Sequence, residues 1–203
     1  LKKKMAFLHS DRTITDFRSK LTGGGSRSNL FEVSIPDFPT DTNIGERDVE
    51  FLVKAAEIPA ANLGNIPVPF RGRVLPIAGD RTFDPWTVTV INDTNFNIRD
   101  AMERWSNFIN DIQTAQGSIN PEDYQKTGLV KQLSRKGTGP DSGVDVLREY
   151  KFTGIYPNTV SSIPLDYGAT DQVEEFQVTF NYLFWEVIGG TTDYSGGSLR
   201  EGG

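Results

Sequence analysis

Hydrophobic and polar positions alternate over much of this chain, and the alternation predicts strands. In WTVTVI, Trp86, Val88 and Val90 face one way while Thr87, Thr89 and Ile91 face the other. That is the period of a strand with one buried face. NLFEVSI puts Phe31, Val33 and Ile35 together on one face. VEFLVKAAEIP predicts a further strand and FRGRVLPIAG another, ending at Gly79, with Pro59, Pro67 and Pro69 punctuating the connection between them. LVKQLSR and DVLREYKFTGIYP predict two more, joined by the turn-forming KGTGPDSG. The last, EEFQVTFNYLFWEV, carries Phe176, Val178, Phe180, Tyr182 and Phe184 on one face and Gln177, Thr179 and Asn181 on the other.

One segment changes period. In NIRDAMERWSNFINDIQT, the residues Ile98, Ala101, Met102, Trp105, Phe108, Ile109 and Ile112 fall at helical spacing, forming an apolar stripe on a helix of about four turns. Asn97 is the expected N-cap, and Gly117 lies just beyond the end. The fold class that follows is mainly β: a β-sandwich or small barrel of six to eight strands, with one amphipathic helix laid over a sheet. DFPTDTNIGERD (Asp37 to Asp48) is an exposed, charged loop. Residues 1–28 are polar, run through GGGSRS and are expected to be a flexible N-terminal arm; 29–187 form the β domain. The tail 188–203 has too little apolar surface to offset its ordering entropy.

Composition then removes function classes. A chain of 203 residues suits one domain and buries enough surface to fold without disulfide or metal. Cysteine is absent, which excludes thiol catalysis and cysteine-bound zinc. A formal charge of −6 argues against a protein that grips nucleic acid, which needs clustered Lys and Arg. No apolar run reaches membrane-spanning length, and the leading LKKKMAFLHS is too short in apolar residues for a secretory signal. His9, in the arm, is the only histidine, which disfavours Ser-His-Asp triads and histidine metal sites. GGGSRSN lacks the spacing of a phosphate loop.

Carboxylate pairs remain, because glycoside hydrolysis needs only two. Glu174 and Glu175 are neighbours on a strand and point to opposite faces. Asp80 and Asp84 can converge, but Arg81 lies between them, and a guanidinium that forks to a carboxylate ties a turn down or ties it to another chain. No catalytic, cofactor or metal residue is therefore assigned.

The stretch EIPAANLGNIPVPFRGRVLPIAGDRTFDPWTVTVIND resembles the tail tube protein family of contractile-tailed, T4-like bacteriophages. The likeness lies in the Pro-bounded loop, the arginine strand, GDRTFD followed by WTVTV, and the amphipathic helix after it. It resumes in LVKQLSR and in GIYPNTVSSIPLDY followed by EEFQVTFNYLFWEV. The resemblance implies a structural subunit of the inner tail tube. Six copies would pool strands into a ring, and rings would stack into a conduit for DNA delivery. It also implies partners: further copies of the chain, a tail sheath protein, baseplate and tail terminator proteins, and tape measure protein and DNA in the lumen without specific binding. It implies no cofactor and no membrane, a place in the virion tail, and assembly in the host cytoplasm.

Ring-stacking residues expected on this basis are Asp37, Asp41, Glu46, Arg47 and Asp48 in the charged loop, with Asp80, Arg81 and Asp84. Arg81 has two readings, a partner across a subunit junction or an internal clamp to Asp80 or Asp84. Thr87, Thr89, Gln177, Thr179 and Asn181 are expected to line the lumen, the alternative being an outer sheet face. Rival readings are a tube of a secretion or extracellular injection system, and a carbohydrate-binding or two-carboxylate hydrolytic sandwich using Phe176, Phe180 and Phe184.

Overall fold

A computed structural model describes residues 14–21, 25–38, 52–134 and 146–189. Three helices and nine strands lie among them: α1 (Ile14–Lys20), β1 (Phe31–Ser34), β2 (Val53–Ala56), β3 (Asn62–Phe70), β4 (Arg73–Thr82), β5 (Trp86–Ile91), α2 (Asn97–Ile109), α3 (Pro121–Tyr124), β6 (Lys126–Leu133), β7 (Val146–Val160), β8 (Glu175–Asn181) and β9 (Phe184–Gly189). The mainly β class holds, with more strands than the expected six to eight. The antiparallel main sheet runs β1-β6-β7-β8-β5-β2, with β9 also paired to β7, and β3-β4 form a separate two-stranded ribbon.

The long strand β7 makes one sheet into two layers. Its first part pairs with β6 and β9, and its last part, from Tyr156, pairs with β8. Gly154 sits at the change of partner with φ 71, the left-handed region where a Cβ is costly. A Cβ there would also meet Leu183 at 2.8 Å. The bend brings Phe152 under Trp86 of β5, with ring centroids 4.5 Å apart and planes 19° from parallel. Gly128 of β6 leaves the room, since a Cβ would stand 2.9 Å from Ile155 and 3.6 Å from Trp86. The Trp86 indole N–H donates to the Glu57 carbonyl at 2.9 Å, so its polar atom is satisfied.

Helix α2 covers this core with Ile98, Ala101, Met102 and Trp105, all buried. Trp105 is the central knob. It packs on Phe180 and edge-on to Phe38, and its N–H donates to the Tyr124 carbonyl at 2.8 Å. The outward face carries the i,i+4 pairs Arg99–Glu103 and Asp100–Arg104. The cap differs from expectation. Asn97 is the first helical residue, Phe96 occupies the cap position, and the Asp93 carboxylate accepts from the Asn97 amide at 2.9 Å. The helix also stops earlier than the stripe predicts. The Asp111 side chain accepts from the Gln113 and Thr114 amides, an Asx turn that outcompetes another helical turn. Those bonds hold its carboxyl below the usual carboxylate range. Ile112 is consequently exposed rather than in the stripe.

Two strand expectations are corrected. FRGRVLPIAG is not one strand: Arg71 and Gly72, both at positive φ, turn the chain between β3 and β4. Pro67 and Pro69 lie inside β3 rather than in a connection. EEFQVTFNYLFWEV is split, because β8 pairs with the last part of β7 and β9 with the first part. The chain crosses between layers at Tyr182 and Leu183, the Leu183 amide donating to the Thr153 carbonyl. Phe184 therefore leaves the buried row of Phe176, Val178 and Phe180 and is exposed.

Candidate functional site

The five residues expected to line a lumen form one surface. Strands β5 and β8 pair with Thr87 opposite Thr179 and Thr89 opposite Gln177. Their intervening residues, Trp86, Val88 and Val90 with Phe176, Val178 and Phe180, are buried in the core. The other face is therefore a continuous polar strip. The Thr87 and Thr179 hydroxyls lie 3.3 Å apart, and Asn181 donates to the Tyr156 hydroxyl at 3.4 Å. Thr159 of β7, opposite Thr179, extends the row across a third strand. Sequence reasoning missed Thr159, although its parity within GIYPNTV was available.

The margin of this strip carries one ion pair, Lys54 to Glu175 at 2.6 Å. The bulge in β2 between Val53 and Ala55 exposes both Lys54 and Ala55 beside β5. Glu174 takes a different partner, accepting from Asn92 at 3.0 Å. The two glutamates do not converge. The aromatic row proposed for a sugar site is likewise spent: Phe176 and Phe180 are 2% and 1% exposed, so neither ring can stack on a ligand.

Asp80 and Arg81 lie near the end of β4, where Arg81 is opposite Leu63. Both are exposed. Among the described residues Arg81 makes no ion pair with Asp80, Asp84 or any other carboxylate. Asp84 instead accepts from Asn62 at 2.5 Å, tying the first residue of β3 to the segment that leads into β5. Asp84 also lines a shallow cavity of about 330 Å³ with Asn181 and Tyr182. Burial first, and then the Asp84 carboxylate, push the Tyr182 hydroxyl above its ordinary pKa. Asp37 is exposed. Asp41, Glu46, Arg47 and Asp48, like His9, lie outside the described residues. Among the described residues no group of three potential ligands could hold a metal ion, and no helix is long and apolar enough to cross a membrane.

A sheet with one apolar face, a polar strip on the other, edge strands β1, β2 and β9 unpaired on their outer sides among the described residues, and a separate two-stranded ribbon describe a subunit of an assembly rather than a catalytic cleft. Comparison with known proteins gives the family. Residues 26–188 match the model of the phage tail tube protein family. The tail tube protein gp19 of Enterobacteria phage T4 is 32% identical over 169 residues, covering 81% of this chain and 93% of that protein. The tail tube protein of Serratia phage KSP90 is 30% identical over 175 residues, covering 84% and 94%. The fold is similar to chains in the anti-feeding prophage baseplate (TM-score 0.56, 13% identity, 82% of this chain and 97% of that one) and the anti-feeding prophage tube-terminating cap (0.55, 17%, 80% and 90%). It is also similar to a chain in the sheath–tube complex of an extracellular contractile injection system in its extended state (0.52, 13%, 83% and 95%). The chain belongs to the phage tail tube protein family. It is a structural tube subunit, not an enzyme.

Proposed function

We propose that copies of this chain close into rings, six to a ring, and that the rings stack into the inner conduit of a contractile phage tail through which DNA passes. The observation that carries this reading is the polar strip over β5 and β8, on a sheet whose edge strands pair with nothing further among the described residues. A single chain of this size cannot surround a duplex, since water-filled barrels need roughly sixteen strands or more. Pooling strands between copies both widens the barrel and removes the edges at β1 and β2. The solved structures of similar fold, which include a baseplate with sixfold symmetry imposed and a tube within a sheath, support the same reading for partners. A sheath outside, a baseplate at one end, a terminator at the other, and tape measure protein and DNA in the lumen are the partners proposed, with assembly in the host cytoplasm.

In this tube Thr87, Thr89, Gln177, Thr179 and Asn181 face the lumen. Their hydroxyls and amides wet the wall without holding phosphate, and at −6 per copy the ring repels DNA on balance. Because the chain has no cysteine, Gln177→Cys tests the assignment directly. In assembled tubes the new thiol should react with a small maleimide but not with one carried on a polymer wider than the lumen, while the monomer reacts with both. Equal reaction of tubes with both reagents would place the strip outside.

Asp37, Asp80, Arg81 and Asp84, with Asp41, Glu46, Arg47 and Asp48, lie at junctions between copies. The absence of a carboxylate partner for Arg81 among the described residues favours the junction over the internal clamp. Arg81→Ala should leave the Tm of the isolated chain within about 2 °C, as exposed charges do, yet leave rings that fail to stack. A clearly lowered Tm with normal stacking would restore the clamp.

A further inference from the structure

Immediately before β1 the chain makes a turn whose two ends are held by one side chain. The Leu30 amide donates to the Arg27 carbonyl at 3.2 Å, closing a β-turn over Ser28 and Asn29, residue types that turns favour. Gln132, near the end of β6 and opposite Phe31, reaches back to this turn. Its Nε2 donates to the Arg27 carbonyl and to the Leu30 carbonyl, both at 2.6 Å. The Leu133 amide donates to the same Leu30 carbonyl at 2.9 Å. Each turn carbonyl thus accepts twice, and both protons of the Gln132 amide are used. Because both partners are acceptors, only the NH2 end of the side chain can face them.

The place of this staple in the chain gives it a consequence. The match to the tail tube family begins at residue 26, one residue before the turn. Everything N-terminal to that point leaves the β domain through Arg27. Gly25, at φ 79, redirects the backbone there, and a Cβ on it would stand 3.2 Å from the Leu21 side chain. Leu21 follows α1, its amide donating to the Phe17 carbonyl, so the end of the helix lies against the exit from the turn. Residues 25–29 are all exposed, so apolar burial does not hold the turn closed.

We propose that Gln132 is a positioning residue for the N-terminal segment. Its amide staples the turn Arg27–Leu30 and so fixes where, and in which direction, residues 1–26 leave the β domain. Turns of this kind open locally at little cost when their hydrogen bonds are lost, without the sheet behind them unfolding. In a ring every copy must present its N-terminal segment alike, and a stapled turn meets that need where a swinging one does not. The staple is a property of the single chain and is tested there, so its failure leaves the tube reading standing.

The test uses the full chain as a monomer, with two variants. Gln132→Glu keeps the volume and removes the donors. A glutamate can turn to Arg148, its cross-strand neighbour, so Gln132→Met removes the donors without adding charge. Trypsin cleavage of the Arg27–Ser28 bond, followed by mass spectrometry, reads how often the turn opens. A nitroxide on Ser26→Cys, the only thiol in the chain, reads the freedom of the segment. Both variants should be cut there at least about tenfold faster, the change expected from losing two hydrogen bonds. Their spectra should narrow, while the Tm stays within about 2 °C of wild type. A wild-type cleavage rate in the methionine variant, or an unchanged spectrum, would overturn the proposal. So would a lowered Tm with equally faster cleavage inside the β domain, at Arg148 for example, since Gln132 would then stabilise the fold without positioning the segment.

Discussion

Trp105→Ala should lower the stability of the isolated chain by about 3–5 kcal/mol, the range for emptying a buried aromatic site. Trp105 is 0% exposed, and its indole is held from three directions, by Phe180 below, by Phe38 at its edge and by the Tyr124 carbonyl at its N–H. Alanine removes the ring, opens a cavity between α2 and the sheet, and frees the carbonyl that the indole satisfied. For a domain of this size the loss corresponds to a fall in Tm of roughly 10 °C. Trp105→Phe separates the causes, since it refills most of the volume but not the hydrogen bond, and it should recover more than half of the loss. Urea unfolding followed by far-ultraviolet circular dichroism measures both. A Trp105→Ala chain as stable as the wild type would mean that α2 does not pack as described.

Gly154→Val should cost about 3 kcal/mol by a different route. The backbone there has φ 71, a region where a β-branched residue is strained by about 1–3 kcal/mol. The new Cβ would also stand 2.8 Å from the Leu183 side chain, an overlap that adds a similar amount. Because β7 changes partners at this point, the strain falls on the crossing between the two layers. Leu183→Ala combined with Gly154→Ala should relieve the overlap and leave the φ strain, so the double variant should be more stable than the two single losses added together. Additive losses would mean that the two side chains do not meet.

The elements that declared themselves in the sequence are those whose pattern is local. WTVTVI alternates over one strand, and its buried and polar faces fall where parity puts them, because both neighbours of β5 lie in the same sheet. The α2 stripe is legible for the same reason up to Trp105 and fails at Ile112, where the Asp111 side chain, not apolar spacing, decides where the helix stops. The last strand misleads because its break is set by the bend in β7 at Gly154, far away in sequence. The β3–β4 ribbon misleads because prolines argue against a strand in a sheet interior, whereas an isolated ribbon accepts them at every second position. The Arg71-Gly72 pair between two apolar runs was the signal that a turn lay there.

The candidate surfaces divide in the same way. The polar strip follows from residue parity on two strands, and only their pairing, Thr87 with Thr179 and Thr89 with Gln177, had to come from the structure. Arg81 was visible as a charged residue between two acids, but the structure gives Asp84 to Asn62 and leaves Arg81 without a carboxylate partner among the described residues. That is a tertiary fact with no local trace.

The central claim is that this chain builds a hollow tube from copies of itself. Negative-stain electron microscopy of the purified wild-type protein over a concentration series, alone and with a cognate baseplate as template, tests it most directly. Rings or open tubes with a stain-filled lumen are the expected result. A protein that remains monomeric under both conditions would contradict it.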